Sequence, residues 1–273
     1  MTESLFAECA GLIREADGLL IGAGAGIGVD SGLPDFRSEH GFWKAYPALG
    51  RSGIPFTSIA SPDAFESNPR QAWGFYGHRL KLYRETVPHE GFAILRDIAA
   101  KLPHGGFVYT SNVDGQFQRA GFDADRIDEC HGSIHYLQCV AQCCENIWPA
   151  REFEPVVDNE KGRLLSDFPL CPGCGALARP NVLMFGDWYW LGHRQAAQAR
   201  RFRDWRRKVG RLVAIELGAG TDIPSVRVFC REQKCPIIRI NPREAELGIS
   251  QGVSLKMGAL EGMREIRDAM SRH

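Results

Sequence analysis

The feature that most constrains this chain is an apolar run, Gly18-Leu19-Leu20-Ile21, that leads into Gly24-Ala25-Gly26-Ile27-Gly28-Val29-Asp30-Ser31-Gly32-Leu33-Pro34-Asp35-Phe36-Arg37. Such a run, followed at once by clustered glycines, predicts a buried strand that ends in a glycine-rich loop. Without Cβ atoms the backbone of such a loop can bring its N–H groups close to a phosphate. A glycine turn alone is weak evidence for that, because turns need glycine anyway. The added Pro34-Asp35-Phe36-Arg37 is more than a phosphate loop requires.

Other segments follow the same logic. Residues 3–17 predict an amphipathic helix with Leu5, Cys9, Leu12, Ile13 and Ala16 on one face, and residues 91–102 a second. Short apolar strands are expected at Phe107–Thr110, Asn181–Phe185, Leu212–Leu217 and Pro236–Asn241, and a basic helix at 193–208. Polar or glycine residues sit at the carboxyl ends of these strands: Ser111-Asn112-Val113-Asp114 after one, Gly218-Ala219-Gly220 after another. Strands alternating with helices in this way predict an α/β fold with a doubly wound, Rossmann-like parallel sheet whose ligand lies at the carboxyl edge. Two stretches break the pattern. Residues 41–88 are aromatic and helical in spacing, and residues 137–180 are cysteine-rich. Both are expected to be insertions that build a smaller lobe, leaving 1–40, 89–136 and 181–273 for the large domain.

Lys plus Arg and Asp plus Glu balance at 33 each, so net charge argues for neither nucleic acid nor membrane as a partner. The basic run from Arg194 to Arg211 reads as a solvated helix face. No apolar stretch is long enough to span a bilayer, and the start of the chain lacks a signal-peptide pattern, so a cytoplasmic location is expected. In such a reducing compartment the clustering of Cys139, Cys143, Cys144, Cys171 and Cys174 favours a metal over disulfides. Cys171-Pro172-Gly173-Cys174 is a metal knuckle that needs a second pair to close a tetrahedron.

Taken in order, the glycine loop with its Pro-Asp-Phe-Arg tail, Thr110-Ser111-Asn112-Val113-Asp114-Gly115, His131-Gly132, the paired cysteines and Arg179-Pro180-Asn181-Val182-Leu183-Met184-Phe185-Gly186 resemble the sirtuins, NAD-dependent protein lysine deacylases. The resemblance spans nearly the whole chain. It implies that Gly24, Ala25, Gly26, Gly28, Asp35, Phe36 and Arg37 surround NAD, with Phe36 over the reacting sugar. It also implies that Ser111, Asn112, Val113 and Asp114 meet the nicotinamide riboside, and that His131 is the general base beside Asn112 and Asp114. Gly218, Ala219 and Gly220 would form a second phosphate turn. Asn241, Ala259 and Leu260 would hold the adenosine. Met184, Phe185, Gly186 and Asp187 would line the groove for an acyl-lysine peptide. A structural Zn2+ would be held by Cys139, Cys171, Cys174 and either Cys144, which is favoured, or Cys143; the usual two-residue spacing from Cys139 lands on Gln142.

The chain also departs from the family. Ser111 stands for a glutamine, Gly28 for a frequent serine, Phe92 for a frequent histidine and Asp187 for a glutamate. Trp188-Tyr189-Trp190 is placed to reshape or partly close the peptide groove. Tyr76 and Arg79, three apart on one helix face, resemble the tyrosine and arginine of the branch that removes succinyl and malonyl groups. An arginine fork and a phenol suit a terminal carboxylate. Two other readings use the same cleft: an NAD hydrolase or ADP-ribosyltransferase, and a non-enzymatic NAD-binding module. The sequence leaves the oligomeric state open.

Overall fold

A computed structural model describes residues 2–34, 39–248 and 251–272. The strands, in chain order, are β1 (Gly18–Ala23), β2 (Gly106–Thr110), β3 (Ile127–Glu129), β4 (Gly132–Cys139), β5 (Ile147–Pro149), β6 (Val157–Asp158), β7 (Arg163–Leu164), β8 (Ala178–Val182), β9 (Leu212–Leu217), β10 (Ile237–Ile240) and β11 (Gly252–Leu255). The helices are α1 (Thr2–Glu15), α2 (Glu39–Ala45), α3 (Pro47–Arg51), α4 (Phe56–Ile59), α5 (Pro62–Ser67), α6 (Pro69–Glu85), α7 (Glu90–Ala100), α8 (Gln116–Arg119), α9 (His193–Arg206), α10 (Ser225–Glu232) and α11 (Ala259–Ser271).

Six strands form one parallel sheet in the order β11-β10-β9-β1-β2-β3. The chain leaves β1 toward β2 on one side and later returns to place β9 on the other, so β1 and β9 flank the switch point of a doubly wound sheet. β1 and β9 are buried along their whole length because both faces are covered. One face packs on α1, α7 and α11 through Ile13, Leu95, Met263 and Ile266. The other packs on α9 and α10 through Phe202, Trp205, Val226 and Cys230.

The smaller lobe has its own core, centred on Phe42, Phe65, Trp73, Phe75, Tyr76 and Leu80. Residues 41–88 supply helices and no strand among the described residues, as expected. The cysteine-rich stretch is more regular than its sequence suggests. β4 pairs antiparallel with β5 and β8, and β6 with β7. β4 begins at Gly132 and β8 ends at Val182, so this sheet reaches a few residues beyond 137–180 on both sides. The strand expected at Asn181–Phe185 is therefore shifted toward the N-terminus. After Val182 the chain leaves the sheet: Leu183 N–H still donates to His131 O, at 2.9 Å, but Phe185 N–H donates to Ala60 O in the helical lobe, also at 2.9 Å.

Candidate active site

The two glycine turns meet at the switch point. A Cβ on Gly24 would lie 2.7 Å from Ala219 Cα, and one on Gly218, whose φ is +58°, would lie 2.4 Å from Gly26 Cα. Backbone contact of this kind is open only to glycine. After Gly24 the expected loop winds into a single 3-10 stretch, Ala25–Ser31, and Gly26 N–H donates to Gly218 O at 3.1 Å.

The end of β2 is stitched to the end of β1. Thr110 Oγ1 donates to Ala23 O (2.9 Å) and accepts from Asn112 N–H (3.0 Å), while Asn112 Nδ2 donates to Gly24 O (3.1 Å). Asn112 thus joins the polar segment after β2 to the glycine turn after β1. Asp114 is buried, and its Oδ1 accepts from Gln116 N–H at 2.9 Å. Burial pushes its carboxyl up to about 6, the Gln116 N–H opposes this, nearby Glu129 adds to it, and Arg79 works against it. His131 Nε2 lies 3.2 Å from Ser225 Oγ at the start of α10. Burial lowers the imidazole below its ordinary 6.5, a hydrogen bond with the Ser111 backbone partly opposing, so the ring is a neutral base at pH 7.

These groups line one cavity of about 560 Å³ between the large sheet and the small lobe. Gly24, Ala25, Ser111, Asn112, Val113, Asp114, Gly218 and Gly220 all reach it, with His131 beside them. Tyr76 and Arg79 from α6 line it as well. Arg79 is 8% exposed, donates from Nε to Tyr83 Oη at 3.0 Å, and holds its guanidinium 5.1–5.7 Å from the ring centroids of Phe75, Tyr76 and Tyr83. Burial pushes the Tyr76 phenol up to about 12, so it is a neutral donor beside a cation. Tyr83 also lines the cavity and was not anticipated. It stands four residues after Arg79, so the helical spacing that selected Tyr76 would have found it.

Other expected contacts do not line the cavity. Gly26 is bonded to the second turn, and Gly28 lies against Leu33. Asn241 is a buried brace: its Nδ2 donates to Ala219 O (3.0 Å), and its Oδ1 accepts from the N–H groups of Arg243 and Glu244 (3.0 Å each). Ala219 and Ala259 belong to the core, and Leu260 N–H donates to Asp30 Oδ2 at 2.8 Å. Arg243, Glu244, Thr221 and Asp222 line that end of the cavity instead. Asp35, Phe36 and Arg37 lie outside the described residues. Of the four residues expected to line a peptide groove, Met184 and Phe185 reach the cavity; Gly186 and Asp187 do not. None of Trp188, Tyr189 and Trp190 lines it either, and Trp188 is 90% exposed, so the aromatic run leaves the cavity open. On α9 the basic run is partly neutralised, Arg194 bonding Glu129 at 2.6 Å and Arg201 lying 3.4 Å from Asp125.

Away from the cavity, Cys139, Cys143, Cys171 and Cys174 bring their sulfurs within 4.8 Å of one another. Cys139–Cys174 and Cys143–Cys171 are 3.7 and 3.5 Å apart. Four thiolates about 2.3 Å from a tetrahedral Zn2+ stand about 3.8 Å from each other, so the set fits that ion with no position left for water. The favoured Cys144 is corrected: it lies outside the group, and Cys143 takes its place. Gln142 adopts a left-handed φ of 52°, and the turn it makes lengthens the knuckle by one residue.

A model of the Sir2 family matches residues 24–202. An NAD-dependent protein deacylase of Thermus thermophilus is 30% identical over 256 residues, covering 92% of this chain and 89% of that protein. The chain belongs to the Sir2 family. An NAD-dependent protein deacylase of Methylococcus capsulatus is also 30% identical, covering 95% of each chain. Among solved structures, the crystal structure of a Sir2 homologue–NAD complex has a TM-score of 0.72 at 24% identity, covering 97% of this chain and 94% of that one. This Sir2 chain therefore shares the fold of that homologue, with its cavity at the sheet's switch point.

Proposed function

We propose that this Sir2 chain is an NAD-dependent protein lysine deacylase whose acyl pocket takes groups that end in a carboxylate, succinyl and malonyl foremost, with acetyl a further substrate. The observation that carries the reading is one cavity lined by Asn112, Asp114 and His131 together with Tyr76 and Arg79. The names of the Thermus and Methylococcus relatives support the deacylase part.

When bound, NAD supplies an electrophilic ribose carbon with nicotinamide as its leaving group. The protein's part is to position and to move a proton. The turns at Gly24–Ala25 and Gly218–Gly220 offer the close backbone approach that a pyrophosphate needs. Asn112 and Asp114 present fixed polar groups to the nicotinamide end. Neutral His131 accepts a proton from a ribose hydroxyl, a role worth about 10²–10⁴-fold. Met184 and Phe185 line the way in for the lysine chain. Arg79, with Tyr76, gives a charge-assisted bond to the acyl carboxylate. The expected products are nicotinamide, free lysine and O-acyl-ADP-ribose.

Incubation with NAD and succinyl-, malonyl- or acetyl-lysine peptide, with a peptide-free control and products identified by mass, tests this reading. Nicotinamide should appear only with acyl peptide. Equal release without peptide would make the protein an NAD hydrolase, and no release in any arm would leave a binding module.

A further inference from the structure

The turn Ala25–Ser31 has two sides. Its front edge, Gly24 and Ala25, faces the cavity. Its back is held by a residue outside the cavity lining, His89, which precedes α7. Three hydrogen bonds meet there. His89 N–H donates to Ser31 Oγ at 3.0 Å, His89 Nδ1 accepts from Gly91 N–H at 3.0 Å, and Nε2 lies 2.9 Å from Ile27 O. Because Nδ1 must accept, the imidazole carries its proton on Nε2 and donates it to Ile27 O. One ring therefore caps α7 and grips the turn at once. The ring rests on Phe92, centroids 5.0 Å apart, and Phe92 rests in turn on Phe117 at 5.0 Å. The far end of the turn is tied separately, by the Asp30 carboxylate to Leu260 N–H.

We infer that His89 is a positioning residue for NAD: through Ile27 O it sets where Gly24 and Ala25 stand against the dinucleotide. The inference rests on the glycine turn holding NAD, as proposed above. It goes further in giving this task to a side chain that touches neither dinucleotide nor acyl group. A turn of this length, with Gly24, Gly26 and Gly28 in or beside it, has little stiffness of its own. A misplaced turn weakens binding even when every contacting residue is present.

The two ring nitrogens can be tested apart. Asn places an acceptor where Nδ1 stands and can cap α7, but it is too short to reach Ile27 O. Gln places an amide N–H where Nε2 stands and can grip the turn, but it is a poor cap. His89→Asn should lose no more Tm than His89→Gln does, while NAD, titrated by calorimetry, binds about three- to tenfold more weakly, the loss expected for one hydrogen bond. Amide exchange in residues 24–31 should quicken in the same variant. His89→Gln should lower Tm yet bind NAD within about twofold of wild type. If affinity instead follows Tm across the two variants, or if His89→Asn binds NAD as wild type does, His89 is only a helix cap and the inference is overturned. Wild-type protein that binds no NAD would overturn the underlying reading, and the inference with it.

Discussion

Asp187 and Arg179 form a two-pronged ion pair, 2.7 and 2.9 Å, sealed from solvent on both sides. The aspartate also accepts from Tyr189 N–H at 3.1 Å and from Met184 N–H at 3.4 Å. The carboxylate thus ties Met184 and Tyr189, on either side of it, to Arg179 of β8. It fixes the bend that carries Met184 and Phe185 to the cavity and sends Trp188 out to solvent. Removing one partner of a buried pair strands the other charge. Asp187→Ala should therefore lose about 3–5 kcal/mol in urea denaturation. Combining it with Arg179→Met should recover part of that loss. A single variant as stable as wild type would show that the pair does not hold the bend.

Much of this was legible in the sequence, and what was not has identifiable causes. β1 announces itself as an unbroken apolar run because both faces of the sheet are covered, and β9 as a run broken only by Glu216, which pairs with Arg239. β3 and β11 do not: Ile-Asp-Glu and Gly-Val-Ser-Leu are too short and too polar to stand out, and only pairing with β2 and β10 makes them strands. Asn112 and Asp114 were readable because strand ends point polar groups into the cleft. Asn241 sits at such an end too, yet its side chain is consumed by the backbone of its own loop. No pattern in the sequence separates those two outcomes.

The metal knuckle turns on one torsion. With Gln142 in the left-handed region, Cys143 and not Cys144 faces Cys171. Cys143→Ser should lose bound zinc, measured as metal per chain, and its Tm should fall sharply. Structural zinc carries roughly 10–16 kcal/mol of apparent binding energy in small domains. Cys144→Ser should keep both metal and Tm. The opposite pattern would return the ligand role to Cys144.

On the function proposed above, Arg79 and Tyr76 set the acyl preference. A charge-assisted bond to a carboxylate is worth about 1.5–3 kcal/mol, or about ten- to hundredfold in kcat/KM. Arg79→Met should cost that much with succinyl- and malonyl-lysine peptides and far less with acetyl-lysine. Equal losses on all three would mean that the arginine holds the pocket together without reading the acyl end.

His131 is lowered below 6.5 by burial, so its basic form is already dominant at neutral pH. Activity should therefore be flat from about pH 7 upward and fall on the acid side, with His131 protonating below pH 6.5. Asp114, at about 6, adds to the same limb. His131→Ala should lose about 10²–10⁴-fold in kcat. An activity that halves as pH drops from about 8 to about 7 would place the base elsewhere.

Asp114 should also cost the protein stability. Its folded pKa is raised, from 3.8 to about 6, mainly by burial. A carboxyl raised in this way favours the folded state only while protonated. Its contribution is full below the unfolded value of 3.8 and is lost as pH rises through about 6. At pH 7 the buried charge is a net burden of about 1–3 kcal/mol. Asn in its place removes the charge and keeps an oxygen for Gln116 N–H. Asp114→Asn should accordingly be the more stable protein by about 1–3 kcal/mol at pH 7, the advantage shrinking toward zero near pH 4, while deacylation is strongly reduced. Denaturation of both proteins across about pH 4–8 checks the sign. A variant less stable than wild type at pH 7 would mean that the Asp114 charge is compensated in the fold by more than Gln116 and Arg79 provide.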